Sequence, residues 1–375
     1  MSVPTAPGAG WSAPTSILPP PTPEQSRGTW SLSVAGVRAV VRLELRQRVR
    51  SSRWKLMLGL FFAVIAGISG LTMLASGFDE ESGAFLFGAV AFLVLTLGLL
   101  VAPALSSTSV NGDRAAGTLA PLQMTLLTPV EIAAGKLLAA WFTALVFLAT
   151  GIPFLLLALV PGGTGVLRAM VTLVTMAVIL LAVCAMALGW SAVTARPASS
   201  AVMTYLTVAF LCIGTLIFFG VSYPLVTTTD EVEVLSDPQA AFDGTTEFPI
   251  PVADCERSVQ ERDRAHTEYT WWLLAANPYV VVADAAPSDD AEDVLSYIAA
   301  TVASTQRGAQ EPVNECYSSF TDDIDFLTGG EQPDRGLVWP FGLAINLLLA
   351  GLGFWFTVRR LVTPVHRLSR GTRIA

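Results

Sequence analysis

Charge is scarce in this chain of 375 residues: 14% of it is Asp, Glu, Lys or Arg, while 53% is hydrophobic. Soluble domains carry about 25% charged residues, and the apolar residues here gather into runs of about 20 or more. A single soluble domain is excluded, because no soluble core needs six uncharged stretches of membrane length. Histidine is limited to His266 and His366, which the charge pattern below puts on opposite sides of the membrane, so no His-based metal site or catalytic pair is expected between them, and no Cys-x-x-Cys occurs. A complete phosphate-binding loop is also missing. Gly135-Lys136 matches the end of one, but Val130 stands where its first glycine is required and Leu137 replaces the Ser or Thr. No nucleophile–base pair stands out, so the chain reads as a non-enzyme with no nucleotide site or cofactor of its own. Residues 1–27, rich in Pro, Ser, Thr and Gly, lack the basic start and apolar core of a signal peptide and read as a disordered tail.

Six spans are predicted, over residues 56–77, 84–105, 137–160, 169–190, 201–221 and 337–358. At a rise of about 1.5 Å per residue, each crosses a hydrocarbon core of about 30 Å. No Asp, Glu, Lys, Arg or His falls inside any of them. Ion-coupled carriers and intramembrane hydrolases need such groups at depth, so both classes are disfavoured and the energy source is expected in a partner. Ala63 and Gly67, spaced small-xxx-small in the first span, suit close helix contact, within the chain or with another copy. An even number of spans puts both termini on one side. That side holds 16 basic and 4 acidic residues, against 6 basic and 26 acidic on the other. The positive-inside rule makes the terminal side cytoplasmic, with Arg168 as the exception close to a span. The net charge of −8 therefore hides two poles. The arginines before the first span face anionic lipid rather than nucleic acid.

Across residues 34–49, Val37, Val41, Leu45 and Val49 recur every fourth residue beside Arg38, Arg42, Arg46 and Arg50. On a helix this sets an apolar stripe against a basic one, as in a helix lying in the membrane interface; a helix packed on a soluble partner is the alternative. Residues 227–336 form an insert with 23 acidic and 5 basic residues, expected to be extracellular and mostly α or irregular. It holds two of the four cysteines, Cys255 and Cys316. A bond between them closes about 60 residues and contributes roughly 4 kcal/mol on the chain-entropy model; two independent thiols are the alternative. Within the insert, "TEYTWWLLAANPYVVVADAAP" is apolar, broken at Asn277-Pro278, and bears Tyr269, Trp271, Trp272 and Tyr279. It reads as a helix dipping in from the outer leaflet, or as a buried helix of the insert.

The stretch "GDRAAGTLAPLQMTLLTPVEIAAGK", between the second and third spans, is the main polar interruption on the terminal side. Gly112 and Gly117 permit tight backbone. Leu119, Leu122, Leu126 and Leu127 give a short helix an apolar side. Thr128 is a candidate N-cap ahead of Pro129, and Glu131 falls where its charge favours the helix dipole. The second piece runs into the third span through Lys136.

This stretch resembles the region between the second and third spans of type-2 ATP-binding-cassette exporter permeases, whose pattern is roughly Glu-Arg-x-x-Gly-Thr-Leu, then Thr-Pro, then Ile-x-x-Gly-Lys. The matching residues are Arg114, Gly117, Thr118, Leu119, Thr128, Pro129, Ile132, Gly135 and Lys136. Asp113 takes the Glu position, and the spacing from Leu119 to Thr128 is longer, with Pro121 inside it. The resemblance extends to the basic helix, the six spans and the dipping helix. It implies a bacterial plasma-membrane permease that exports a hydrophobic or amphipathic substrate. The partners it implies are a separate ATPase subunit, which binds the ATP and Mg, a second permease copy or paralogue, and the lipid bilayer. The coupling helix that contacts the ATPase then involves Asp113, Arg114, Gly117, Thr118, Leu119, Leu122, Thr128, Pro129, Glu131, Gly135 and Lys136. The organisation expected is an all-α membrane protein with a tail at 1–30, an interfacial helix at 31–53, spans one to five at 54–226 with the coupling region at 106–136, the acidic domain at 227–336, and the last span with a basic tail at 337–375. A membrane sensor or assembly scaffold with an acidic outer domain is the rival reading.

Overall fold

A computed structural model of the chain describes residues 28–50, 52–76, 80–119, 122, 127–160, 164–236, 256–286, 293–308, 313–314 and 336–362. Among these residues, six helical stretches are long and apolar enough to cross a membrane. They are α2 (Ser52–Ser76), α3 (Glu80–Ser106), α5 (Pro129–Ala158), α6 (Val166–Val193), the composite of α7 (Pro197–Ala209), a π-turn (Phe210–Gly214) and α8 (Thr215–Ser222), and α12 (Trp339–Leu361). All six predicted spans fall on these helices. Helix α1 (Val34–Val49) precedes α2, and the short α4 (Asn111–Ala115) follows α3. The centre of the bundle is α6, walled by α3, α5 and α12, with Phe87, Phe147, Met176 and Ile179 fully buried around it. Helices in lipid gain no hydrophobic drive from touching each other, so close backbone approach through small residues matters. A Cβ on Gly189 of α6 would lie 2.6 Å from the Cα of Gly353 on α12. Ala63 and Gly67 are not used in this way, since both face outward from α2 and a Cβ on Gly67 meets nothing within 4 Å.

The stripe on α1 is turned largely inward. Val37 and Val40 are buried, Val41 and Leu45 half-buried, and Arg38, Arg42, Arg46 and Arg50 exposed. The inward face lies on the start of α5, where a Cβ on Gly135 would approach Val40 Cβ to 2.5 Å. Part of the aliphatic stripe thus packs on the bundle itself.

The insert differs from an α or irregular module. Strands β1 (Thr227–Ser236) and β2 (Glu256–Ala265) pair antiparallel from Thr227↔Ala265 to Ser236↔Glu256, and β3 (Val313–Asn314) joins the other edge of β1 in parallel. The sequence of β2, "ERSVQERDRA", has a single β-branched residue and no apolar alternation, which hides it from a reading of pattern. Cys255 and Cys316, and so the expected disulfide, lie outside the described residues; the neighbouring Glu256 and Asn314 flank the same end of β1.

The apolar part of the insert forms α9 (Trp271–Ala275) and α10 (Pro278–Ala285), followed by α11 (Val294–Arg307). Helices α9 and α10 enter the bundle: Val281, Val282 and Ala283 are fully buried, while Tyr269 and Trp272 stay exposed at the rim. At the break, Asn277 Oδ1 accepts from the Tyr279 N–H and caps α10, and its Nδ2 donates to the Cys212 carbonyl at 2.8 Å. That carbonyl belongs to the π-turn, where the widened helix leaves groups to be met by side chains. Tyr279 stacks on Phe92 and shares a hydrogen bond with Thr96, deep along α3. Asp284 of α10 accepts from the Val338 and Trp339 N–H groups and so caps the last span. Arg168, the exception to the charge rule, is buried at the insert end. It pairs with Asp293 at 2.5 Å, donates to Ser296 Oγ and the Ala286 carbonyl, and lies over the Phe87 ring.

The contact between α9 and α12 has no slack, because a Cβ on Gly342 would lie 1.9 Å from the Ala275 carbonyl oxygen. Gly342→Ala gains helix propensity of up to about 1 kcal/mol but must move backbone, and overpacking costs typically about 1–3 kcal/mol. Thermal unfolding in detergent is expected to fall for Gly342→Ala and to hold or rise for Gly351→Ala, where nothing lies within 4 Å. The reverse order contradicts the packing of α9 on the last span.

Candidate functional site

The loop between α3 and α5 is built from two capped helix ends. Helix α4 closes with Ala116 as C-cap and Gly117 at φ 70°. The Thr118 N–H bonds the Asp113 carbonyl and the Gly117 N–H bonds the Arg114 carbonyl. This is the paired pattern of a Schellman motif, which needs a left-handed residue and so selects glycine. At the other end Thr128 caps α5, with Pro129 at the first position. Its hydroxyl accepts from the Glu131 N–H while Glu131 accepts from the Thr128 N–H.

Glu131 does more than close this capping box. Its second oxygen accepts from the Ser33 N–H at 2.8 Å, and Ser33 is the N-cap of α1. The Thr128 hydroxyl donates in turn to the Ser31 carbonyl. One fully buried carboxylate therefore caps two helices at once. A Cβ on Gly36 would come within 2.8 Å of that carboxylate, so α1 must carry glycine there. Two turns into α5 lies Lys136, 1% exposed, with its ammonium on both Glu44 of α1 and Asp113 of α4. Burying an ammonium is costly unless it is paired, and these two carboxylates pair it. The same loop is tied to the centre of the bundle: Val110 and Asn111 N–H groups donate to Ser191 Oγ of α6, and Asn111 Nδ2 donates to Thr194 Oγ1.

The predicted residues divide by exposure. Thr128, Glu131, Gly135 and Lys136 are buried, and Leu119, 3% exposed, sits in the chain's own cluster with Val110, Ile132, Leu188 and Val358. Leu122 packs partly buried beside it, and Asp113, Arg114 and Pro129 are half-buried. Among the described residues from Gly112 to Lys136, only Ala115, Ala116, Gly117 and Thr118 are exposed. Leu119 is therefore a core residue of this face and not an anchor offered outward. Glu44 went unassigned in the sequence, although it is the sole acidic residue among 28–55, a signal that a buried cation awaits it. Ser31, Ser33 and Ser191 act through backbone and hydroxyl bonds that no pattern announces.

A second polar cluster lies at the insert end. His266 Nδ1 meets Glu268 at 2.7 Å and Nε2 meets Asp230 at 3.0 Å and Thr228 at 3.1 Å, joining the start of β1 to the turn after β2. Among the described residues no group of three or more His, Cys, Asp or Glu could hold a metal. No protein-family model matches the chain, and no characterised protein matches it. The class defined by the fold is a multi-pass membrane protein of six helices.

Two predictions follow from this geometry. Lys136→Met leaves Glu44 and Asp113 facing each other without a cation. Because both are partly exposed, the loss is expected at the lower end for a broken buried pair, about 3 kcal/mol. Adding Glu44→Gln and Asp113→Asn recovers most of the melting temperature, and no recovery counts against the triad. For His266, the hydrogen bond to Glu268 and then that to Asp230 raise its pKa above the ordinary 6.5. A raised folded value means that its stabilisation is complete below about 6.5 and fades as pH rises through the folded value. The imidazole titration by NMR is expected above 6.5. Hydrogen-exchange protection of the paired strands falls across the same range, and His266→Gln removes that dependence.

Proposed function

We propose that the chain is the membrane subunit of an ATP-driven exporter resembling the type-2 ATP-binding-cassette permeases, with both termini cytoplasmic and ATP hydrolysed on a separate subunit. The observation that carries this reading is an exposed apex, Ala115–Thr118, whose described supports are bonded to one another and to α1 and α5. Its Schellman turn holds Asp113, Asp113 holds Lys136, and Lys136 and Glu131 lock α5 to α1. A force applied at such an apex has a bonded path through Asp113 and Lys136 into a span. The sequence pattern from Asp113 to Lys136 supports the same reading, since its buried members are the ones that build the mount. The basic face of α1 and the arginines after the last span support a cytoplasmic placement of this end. The outward-facing Ala63 and Gly67 leave α2 free to approach a second permease copy. A bond between Cys255 and Cys316 would tie the segments beside β2 and β3 together outside the membrane.

Binding to a candidate ATPase subunit, identified by co-purification with the full chain, tests the reading. An interface anchor is worth about 2 kcal/mol or more, so Ala116→Arg at the apex is expected to weaken binding about 30-fold or more. Melting temperature holds, because Ala116 is exposed. Transport falls with affinity, and the free ATPase keeps its own activity. Unchanged affinity and transport would reduce the loop to a connector, and the exporter assignment would fall with it.

A further inference from the structure

A groove of about 330 Å³ opens on the lipid-facing side of the bundle between α6, α7 and α12. The backbone contact of Gly189 with Gly353 forms its floor, and Met186, Val193, Leu349, Leu352 and Phe356 form its walls. The polar atoms along it are already engaged: Trp190 Nε1 donates to Thr207 Oγ1, which donates to the Met203 carbonyl. Nothing in the walls can recognise a polar solute, so the groove suits hydrocarbon. At its end stands Arg360, exposed and, among the described residues, the only charged one of the lining. Its neighbour Arg359 is laid over the Trp355 ring at 4.2 Å, which leaves Arg360 as the guanidinium facing the groove.

We infer that this groove binds one anionic phospholipid, with an acyl chain along the walls and the phosphate at Arg360. The groove lies where helices cross the membrane, so acyl chains reach it from the side without leaving the bilayer. A transmembrane helix from a second copy is the other occupant of matching shape, but it brings no anionic group to Arg360 at the membrane interface, where anionic lipid is attracted to basic residues. An anionic headgroup satisfies it.

The test incubates the purified full chain in mixed micelles with equimolar phosphatidylglycerol and phosphatidylcholine of identical chains, and measures retained lipid by mass spectrometry. The parent is expected to retain phosphatidylglycerol in preference. One basic residue near anionic lipid is worth about 1 kcal/mol, so Arg360→Gln should lower that preference about fivefold. Leu352→Trp, which fills the groove from an exposed position, should lower retention of both lipids. Unchanged melting temperatures establish that both variants are folded, since both side chains are exposed. Equal retention of the two lipids by the parent, or a preference that survives Arg360→Gln, overturns the inference. So does a Leu352→Cys variant that forms disulfide-linked dimers in membranes, because a second copy then occupies the groove.

Discussion

The Glu131 carboxylate is the interaction on which one end of the molecule depends. Four backbone N–H groups at the start of every helix lack partners, and the usual remedy is a local side chain for each helix. Here one buried carboxylate serves the starts of both α1 and α5, and the two helices must cross closely enough to share it. The demand explains the rest of the local sequence. Gly36 makes room for the carboxylate, Gly135 admits Val40 one turn further on, and Lys136 beyond it meets Glu44 from the same face of α1. A carboxylate, two glycines and a lysine in α1 and α5 form one steric and electrostatic unit.

The opposite end is built on the same principle with other residues. Asn277 caps α10 and meets a carbonyl of the π-turn, Asp284 caps the last span from α10, and Asp293 caps α11 while pairing Arg168. Each of these polar groups satisfies a helix end and, in the same act, fixes that helix to a neighbour. Among the described residues the middle of the bundle holds no Asp, Glu, Lys, Arg or His, so charged and capping bonds at the two ends fix register while the centre contributes mainly shape complementarity.

The six spans were legible because length and hydropathy alone specify them. The Thr128 cap and the placement of Glu131 were legible because caps have local signatures. What these residues touch was not: the reach of Glu131 to Ser33 crosses 98 positions, and that of Lys136 to Glu44 crosses 92. The sequence pattern alone does not separate the buried supports of the loop from its exposed apex, and Leu119 belongs to the supports. The paired strands of the insert escaped because β2 buries little and so shows no alternation. The course of α9 and α10 was half-visible, in the apolar run broken at Asn277-Pro278. The depth they reach depends on partners in α3, α8, α12 and the π-turn that sequence does not pair.

Arg168 carries a consequence for the order of biosynthesis. Its partner Ser296 is made 128 residues after it, which at about 5–20 residues per second is an interval on the order of ten seconds. During that interval the guanidinium lacks its ion-pair and hydrogen-bond partners, and only the Phe87 ring is already made, so water must serve it instead. The arrival of Asp293 and Ser296 ends that wait. The acidic insert is in this sense a late-acting lock, closing a helix bundle that was translated long before it.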